Sequence, residues 1–466
     1  MSDTVQFTPG QTGSTLLHGA LSAAHDAHRD ALGGLSLPSP SGLKKRLSAT
    51  VAAFEAHRVA SEQRVAIART VVGHLQQHAL LGSQPLHEAV AAVDDPGPAT
   101  EQGGEGPPRW CPALTWRGER FQGRALGELA ERLRAADQLT DEAVAALSWV
   151  AKELLGDGPL DLRGHRFALL GAGAELSPAP YLLSAGARVL WIDRKAPTPH
   201  PTTSPGRLVH YPQAGDLLTQ TRAVAGALAA EVAEGDVHLG LYAYAPGKGR
   251  ELLLTSAMNA LAEAVQPASV GMLVSPTTPG QVAAAEQRDR QRRRAQAPRW
   301  QRALARAGVL PDQPYAVAGD VQIAHSIVPL QGPTYLAAQY VAKMLVSEVW
   351  AAERPEVRVS ANVAGITHTG SMEHPLFLAG FRGAPSFGVQ IFTPEQTRVL
   401  ATLLWLHDVL GPKEETTADG RAAAVSRRSI HGGVRSAPFE LDHTIRVAAV
   451  LGMVKQPSLL LRLAGR

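Results

Sequence analysis

Residues 165–195 read HRFALLGAGAELSPAPYLLSAGARVLWIDRK. An apolar run, Phe167 to Leu170, enters Gly171-Ala172-Gly173. SPAPYLLSAGA reads as a helix, and a second apolar run, RVLWI, ends at Asp193. Strand, glycine turn, helix and strand in that order make a β-α-β unit. The alternation continues downstream. RLVHYPQ reads as a third strand, TRAVAGALAAEVAE as a helix, DVHLGLYAYAPG as a fourth strand and ELLLTSAMNALAEAVQ as a helix. ASVGMLVSPTTPG reads as a fifth strand, GPTYLAAQYVAKMLVSEVWAAE as a long helix and VRVSANVAGITHT as a sixth strand. Such alternation predicts a parallel sheet with helices on both faces.

The flanking sequence has a different texture. Residues 1–93 read as a helical region, because Leu47, Val51, Phe54, Val59, Val65, Val71, Val72 and Leu75 recur at helical spacing on a charged background. The Pro-, Gly- and acid-rich stretch 94–108 reads as a linker. Residues 109–160 form a helical lead-in, with Thr140 and Asp141 placed to cap its second helix. The sheet domain spans 161–370 and carries an Arg-rich insertion at 281–313, and 371–466 reads as a C-terminal lid and helical extension. The fold class expected is therefore α/β, a doubly wound parallel sheet (Rossmann-like) with an added, mostly helical N-terminal region.

Composition bounds the function. Among 466 residues, 45 Lys+Arg stand against 42 Asp+Glu, a formal net charge of +3, with 45% hydrophobic and 19% charged residues. That balance argues against global disorder, and it is too weakly basic to predict nucleic-acid binding. The single cysteine, Cys111, excludes an internal disulfide and a cysteine-based zinc cage. No Sec-type leader and no apolar run long enough to span a bilayer is visible, so a cytoplasmic location is expected.

The glycine turn stands where a dinucleotide site stands. Glycines let the backbone approach a pyrophosphate, and an acid about 20 residues on bonds the ribose hydroxyls. Gly171, Gly173 and Asp193 match that pattern, Leu176 replaces its third glycine, and Glu175 brings a carboxylate near the pyrophosphate position. Arg194 and Lys195 follow Asp193, so NAD and NADP both remain open. The same order of elements serves S-adenosylmethionine-dependent methyltransferases, which usually close their sheet with an antiparallel hairpin.

The block 332–369, GPTYLAAQYVAKMLVSEVWAAERPEVRVSANVAGITHT, resembles the catalytic helix and following strand of the short-chain dehydrogenases/reductases. In that family a Tyr-x-x-x-Lys pair opens a long helix, which leads into a strand ending in a Pro-Gly-x-x-x-Thr turn. The resemblance implies Tyr335 as the proton-transferring phenol, Gly365 as the turn glycine and Thr369 as the threonine contacting the nicotinamide amide. It implies Ser275, or Thr277 as an alternative hydroxyl, as the group orienting the substrate oxygen, Asp216 as an adenine contact and Asp193 as the ribose acid. A phenol needs a nearby cation to titrate near neutrality. Here the position four after Tyr335 is Gln339, and Lys343 lies one turn further; Tyr340 and Lys343 form a second, three-spaced pair. The family's Asn-Asn-Ala-Gly is replaced by residues 242–247, YAYAPG.

These features set the expected function: an NAD(P)-dependent oxidoreductase acting on a carbonyl/hydroxyl pair of a small-molecule substrate. Leu376, Phe377, Leu378, Phe381 and Phe387 in the lid suggest a hydrophobic or acyl-like one. The alternatives are the methyltransferase and a catalytically inactive scaffold, the latter favoured by Gln339 and Glu175. Homo-oligomerisation through the helices at 251–266 and 334–353 is a family-level expectation. His325, His374, His431 and His443 read as surface or hydrogen-bonded histidines, and His368 falls beside Thr369 at the expected cofactor mouth. No convincing metal spacing occurs. Arg288, Arg290, Arg292, Arg293, Arg294, Arg299, Arg302 and Arg306 in the insertion read either as a solvated face or as a lid meeting anionic groups of a ligand.

Overall fold

A computed structural model describes residues 4–459 except 157, 246, 248, 313–314, 325–330 and 414–416; His325 lies outside the described residues. Seven strands form the main sheet: β1 (Thr100–Gly103), β2 (Arg166–Leu170), β3 (Arg188–Ile192), β4 (Arg207–His210), β5 (Val237–Leu241), β6 (Ser269–Val274) and β7 (Arg358–Val363). Their order is β7-β6-β5-β2-β3-β4-β1. Strands β2 to β7 run parallel, and the order reverses between β2 and β5, as in a Rossmann-like sheet. The six expected strands and the helices between them lie where the alternation puts them. Strand β7 is parallel to β6, and no antiparallel hairpin closes that edge among the described residues, in contrast to the methyltransferase alternative.

Alternate residues of the strands feed two separate cores. Ala168, Leu170, Leu190, Ile192, Leu239, Leu241, Met272 and Val274 point into one, together with Leu17, Phe54, Ile67 and Val71. Phe167, Leu169, Val189 and Leu208 point into the other, with Leu129, Leu133, Leu147, Leu404 and Trp405. Period-two alternation thus fills both faces of the sheet. Helices Gly13–Ala27, Pro40–Ala60 and Arg64–His78 share the first core with the sheet. An ion network fastens them: Arg58 bonds Glu55 (2.7 Å) and Glu348 (2.7 Å), Arg64 bonds Glu348 (3.1 Å), and the Tyr340 phenol donates to Glu55.

Three expectations are corrected. The linker 94–108 contains β1, which pairs antiparallel with β4 from Thr100↔His210 to Gly103↔Arg207; the partner lies too far along the chain for local composition to announce it. The helical lead-in begins with a hairpin, Ala113–Trp116 and Glu119–Gln122. Its turn residues Arg117 (φ 50°) and Gly118 (φ 84°) both lie in the left-handed region that two-residue hairpin loops require. The glycine turn does not itself open a helix. The next helix, Ala179–Ser184, begins only after Pro178 and is 6 residues long.

The insertion is docked rather than poised as a lid. Arg293 donates to Asp137 (2.9 Å), to the Gly433 and Phe387 carbonyls (2.7 and 2.6 Å) and to Ser436 (2.8 Å). Arg134 pairs with Asp289 (2.8 Å), and Arg290 lies over the Tyr315 ring. Arg288, Arg299, Arg302 and Arg306 face solvent. No helix among the described residues is long and apolar enough to cross a membrane.

Candidate functional site

The carboxyl ends of the parallel strands carry two groups of candidate residues. The first surrounds the glycine turn at the point where strand order reverses. Gly171 has φ +88°, and a Cβ there would overlap the backbone of Ala243, just beyond β5. Its N–H donates to the Ile192 carbonyl (2.8 Å), drawing the turn over the end of β3. Asp193 lies directly beneath. Its Oδ2 accepts the Gly173 N–H (3.0 Å) and its Oδ1 the Lys195 N–H (2.9 Å). Gly215 packs against the Asp193 carbonyl, a Cβ there falling 2.7 Å from that oxygen, and this brings Asp216 to the same corner. The Asp216 carboxylate caps its own turn, accepting from the N–H groups of Leu218 (2.8 Å) and Thr219 (3.3 Å). Arg194 is exposed beside Asp193.

Gly171, Gly173, Asp193, Arg194 and Asp216 are therefore neighbours, and each Asp193 oxygen keeps acceptor capacity beyond its backbone bond. The corner differs from a pyrophosphate cradle in two respects. The short, displaced helix puts no helix N-terminus at the turn, and the Glu175 carboxylate is engaged by the loop after β7, accepting the Gly370 N–H (3.0 Å). The Glu175 carbonyl in turn accepts two bonds from Arg398 (3.0 and 2.6 Å), a cation that the sequence reading missed.

The Glu175–Gly370 bond ties the first corner to the loop after β7. Gly365 opens that loop because a Cβ there would overlap the Phe392 ring, which is a packing requirement. Thr369 directly precedes Gly370, and His368 Nε2 lies 3.3 Å from Glu373.

The second corner lies at the end of β6. Tyr335, in helix Gly332–Leu336, faces Ser275, the residue following β6. Burial, and then the nearby Glu251 carboxylate, hold the Tyr335 phenol above its ordinary value; the Ser275 hydroxyl opposes them. Ser275 Oγ bonds Thr277 Oγ1 (2.9 Å), which donates to Gln331 (2.8 Å), so both candidate hydroxyls belong to one chain of bonds. Tyr340 is not an alternative acid here, since its phenol is bonded to Glu55 in the first core.

Between Ala337 and Leu345 the helix adopts π-type i→i+5 hydrogen bonding, a feature frequent at functional sites. Gln339 and Lys343 converge there on one buried oxygen, Glu251 Oε1: Gln339 Nε2 donates to it (2.6 Å) and Lys343 Nζ lies 3.5 Å away. The Gln339 carbonyl accepts the Ser275 N–H (3.0 Å). Lys343, one turn beyond the family position, thus meets a carboxylate. Glu251 was missed in the sequence because an acid in the first turn of helix Arg250–Val265 reads as an ordinary complement to the helix dipole. Burial raises its pKa, opposed by Lys343 and Gln339.

Chemically, this corner offers two hydroxyls facing one another, a phenol that stays protonated at neutral pH, and a charge pair within one residue's reach. No family model matches the chain, and no curated protein or solved structure matches it.

Proposed function

We propose that this chain is an oxidoreductase of short-chain dehydrogenase/reductase type, using NAD or NADP on the carbonyl/hydroxyl pair of a hydrophobic or acyl-like small molecule. The observation that carries the reading is Tyr335 facing Ser275 at the carboxyl end of β6, one strand removed from the point of strand-order reversal between β2 and β5. In this role Ser275 orients the substrate oxygen by hydrogen bonding, and Tyr335 gives its phenolic proton to that oxygen as negative charge develops there. Asp193, with lone pairs to spare, suits ribose hydroxyls, and exposed Arg194 suits a 2′-phosphate. A nicotinamide, when bound, would supply the hydride.

The test is calorimetric binding of NAD⁺, NADP⁺, NADH, NADPH and S-adenosylmethionine, with Tyr335→Phe alongside. Saturable nicotinamide binding is expected in both proteins, with turnover falling by about 10²-fold or more in the variant. Unchanged turnover would remove Tyr335 from the mechanism, and preferential S-adenosylmethionine binding would replace the reading. A second reading, a scaffold without catalysis, is favoured by the Glu175 carboxylate beside the glycine turn, held there by the Gly370 N–H. It predicts no binding of any of the five compounds.

A further inference from the structure

Gln339 and Lys343, on the helix that carries Tyr335, converge on one carboxylate, Glu251. The Ser275 hydroxyl leads instead to Thr277 and Gln331, and the Tyr244 phenol is a second acidic group acting on Tyr335. Tyr335 and Gln339 are four residues apart on one helix, with Ser275 against both. The Gln339 amide has one orientation that satisfies its surroundings. Glu251 accepts from its NH₂ group (2.6 Å), so its carbonyl must face the Ser275 N–H (3.0 Å). An amide between a carboxylate and an N–H cannot flip without setting acceptor against acceptor and donor against donor. The same oxygen of Glu251 faces Lys343 (3.5 Å), the only lysine between Gly332 and Glu353.

We propose that Glu251 is the positioning residue of the Tyr335–Ser275 pair: it locks Gln339, four residues beyond Tyr335, against the Ser275 backbone and engages Lys343 at the same oxygen. The assignment rests on the oxidoreductase reading for its purpose, although its physical content is independent of turnover. A carboxylate near a phenol disfavours phenolate, and a lysine engaged by that carboxylate cannot offset it fully. In Glu251→Gln the acceptor for Gln339 is kept, the negative charge is removed, and Lys343 is left as an uncompensated cation. Each change makes Tyr335 more acidic.

The measurement is a ¹⁹F NMR titration of full-length protein carrying difluorotyrosine at position 335, whose phenol ionises in an accessible range. Glu251→Gln is expected to lower the midpoint by about one pH unit or more, and Glu251→Asp to restore most of the difference. If Glu251→Gln does not fold, Gln339→Lys serves instead, since it compensates the same carboxylate without removing it and should move the midpoint in the same direction. A midpoint that stays within about 0.3 unit of the parent in the folded variants would overturn the assignment. Nicotinamide binding is read separately on the unlabelled proteins. Its absence alongside a shifted midpoint would refute the oxidoreductase reading while supporting the role of Glu251.

Discussion

Gly171 and Gly173 stand two residues apart in the same turn and have different physical reasons to be glycine. At Gly171 the backbone is left-handed (φ +88°) and a Cβ would overlap Ala243, so a side chain meets both backbone strain and a steric clash. Gly173 has no left-handed φ, and a Cβ there would lie 3.2 Å from the Asp193 carboxylate, tight but on the accessible side of the turn. Gly171→Ala should therefore cost about 3 kcal/mol or more of unfolding free energy. Gly173→Ala should cost about 1 kcal/mol or less and, on the proposed oxidoreductase reading, weaken nicotinamide-nucleotide binding beside Asp193. Urea denaturation and calorimetry on the two variants separate these roles, and equal stability losses would contradict the distinction. The residue types of this corner were legible because a glycine turn and a strand-end acid are local signals. Glu251 and Arg398 were not, since each meets its site across elements remote in sequence and carries no local mark.

At the level of elements, the helix Pro394–Leu410 explains one glycine in the middle of a strand and bears on a second in its neighbour. A Cβ on Gly271 of β6 would overlap the Trp405 indole; one on Gly240 of β5 would overlap the Leu169 and Tyr242 side chains first and come within 3.1 Å of the indole. The indole thus lies in a shallow groove across both strands, edge-on to Phe167 (centroids 5.3 Å apart). Glycine inside a strand marks such a close approach. From the sequence the strands and the helix are readable, and the structure adds that Thr393 and Gln396 cap the helix reciprocally; which side chain fills the gap is a tertiary fact. Gly271→Ala is expected to cost about 1–3 kcal/mol by overpacking. Combining it with Trp405→Leu should cost clearly less than the sum of the two single changes, because the smaller side chain leaves room for the added methyl. Additive losses in this cycle would mean that Trp405 does not respond to Gly271.

Over the whole molecule, the pattern of strands is legible because apolar alternation is repeated in each, whereas the boundaries around it are not. Composition at 94–108 looks like a linker, yet β1 completes the sheet edge there, and helices at the N-terminus share a core with Leu170, Ile192 and Leu241. The buried network around Arg58 tests that continuity. Arg58 is fully buried between Glu55 and Glu348, and its removal leaves Glu55 without that cation and Glu348 with Arg64 alone. Losing one member of a buried ion network costs about 3–5 kcal/mol. Arg69, which pairs with Glu353 between the same two regions, is largely exposed, and an exposed pair contributes at most about 1 kcal/mol. Arg58→Met should therefore shift unfolding strongly and Arg69→Met scarcely. The form of the transition decides the architectural question. With one shared core, circular dichroism and tryptophan fluorescence should report a single Arg58→Met transition at lower denaturant. If the N-terminal helices formed a separate unit, Arg58→Met would melt them first, and the two probes would part.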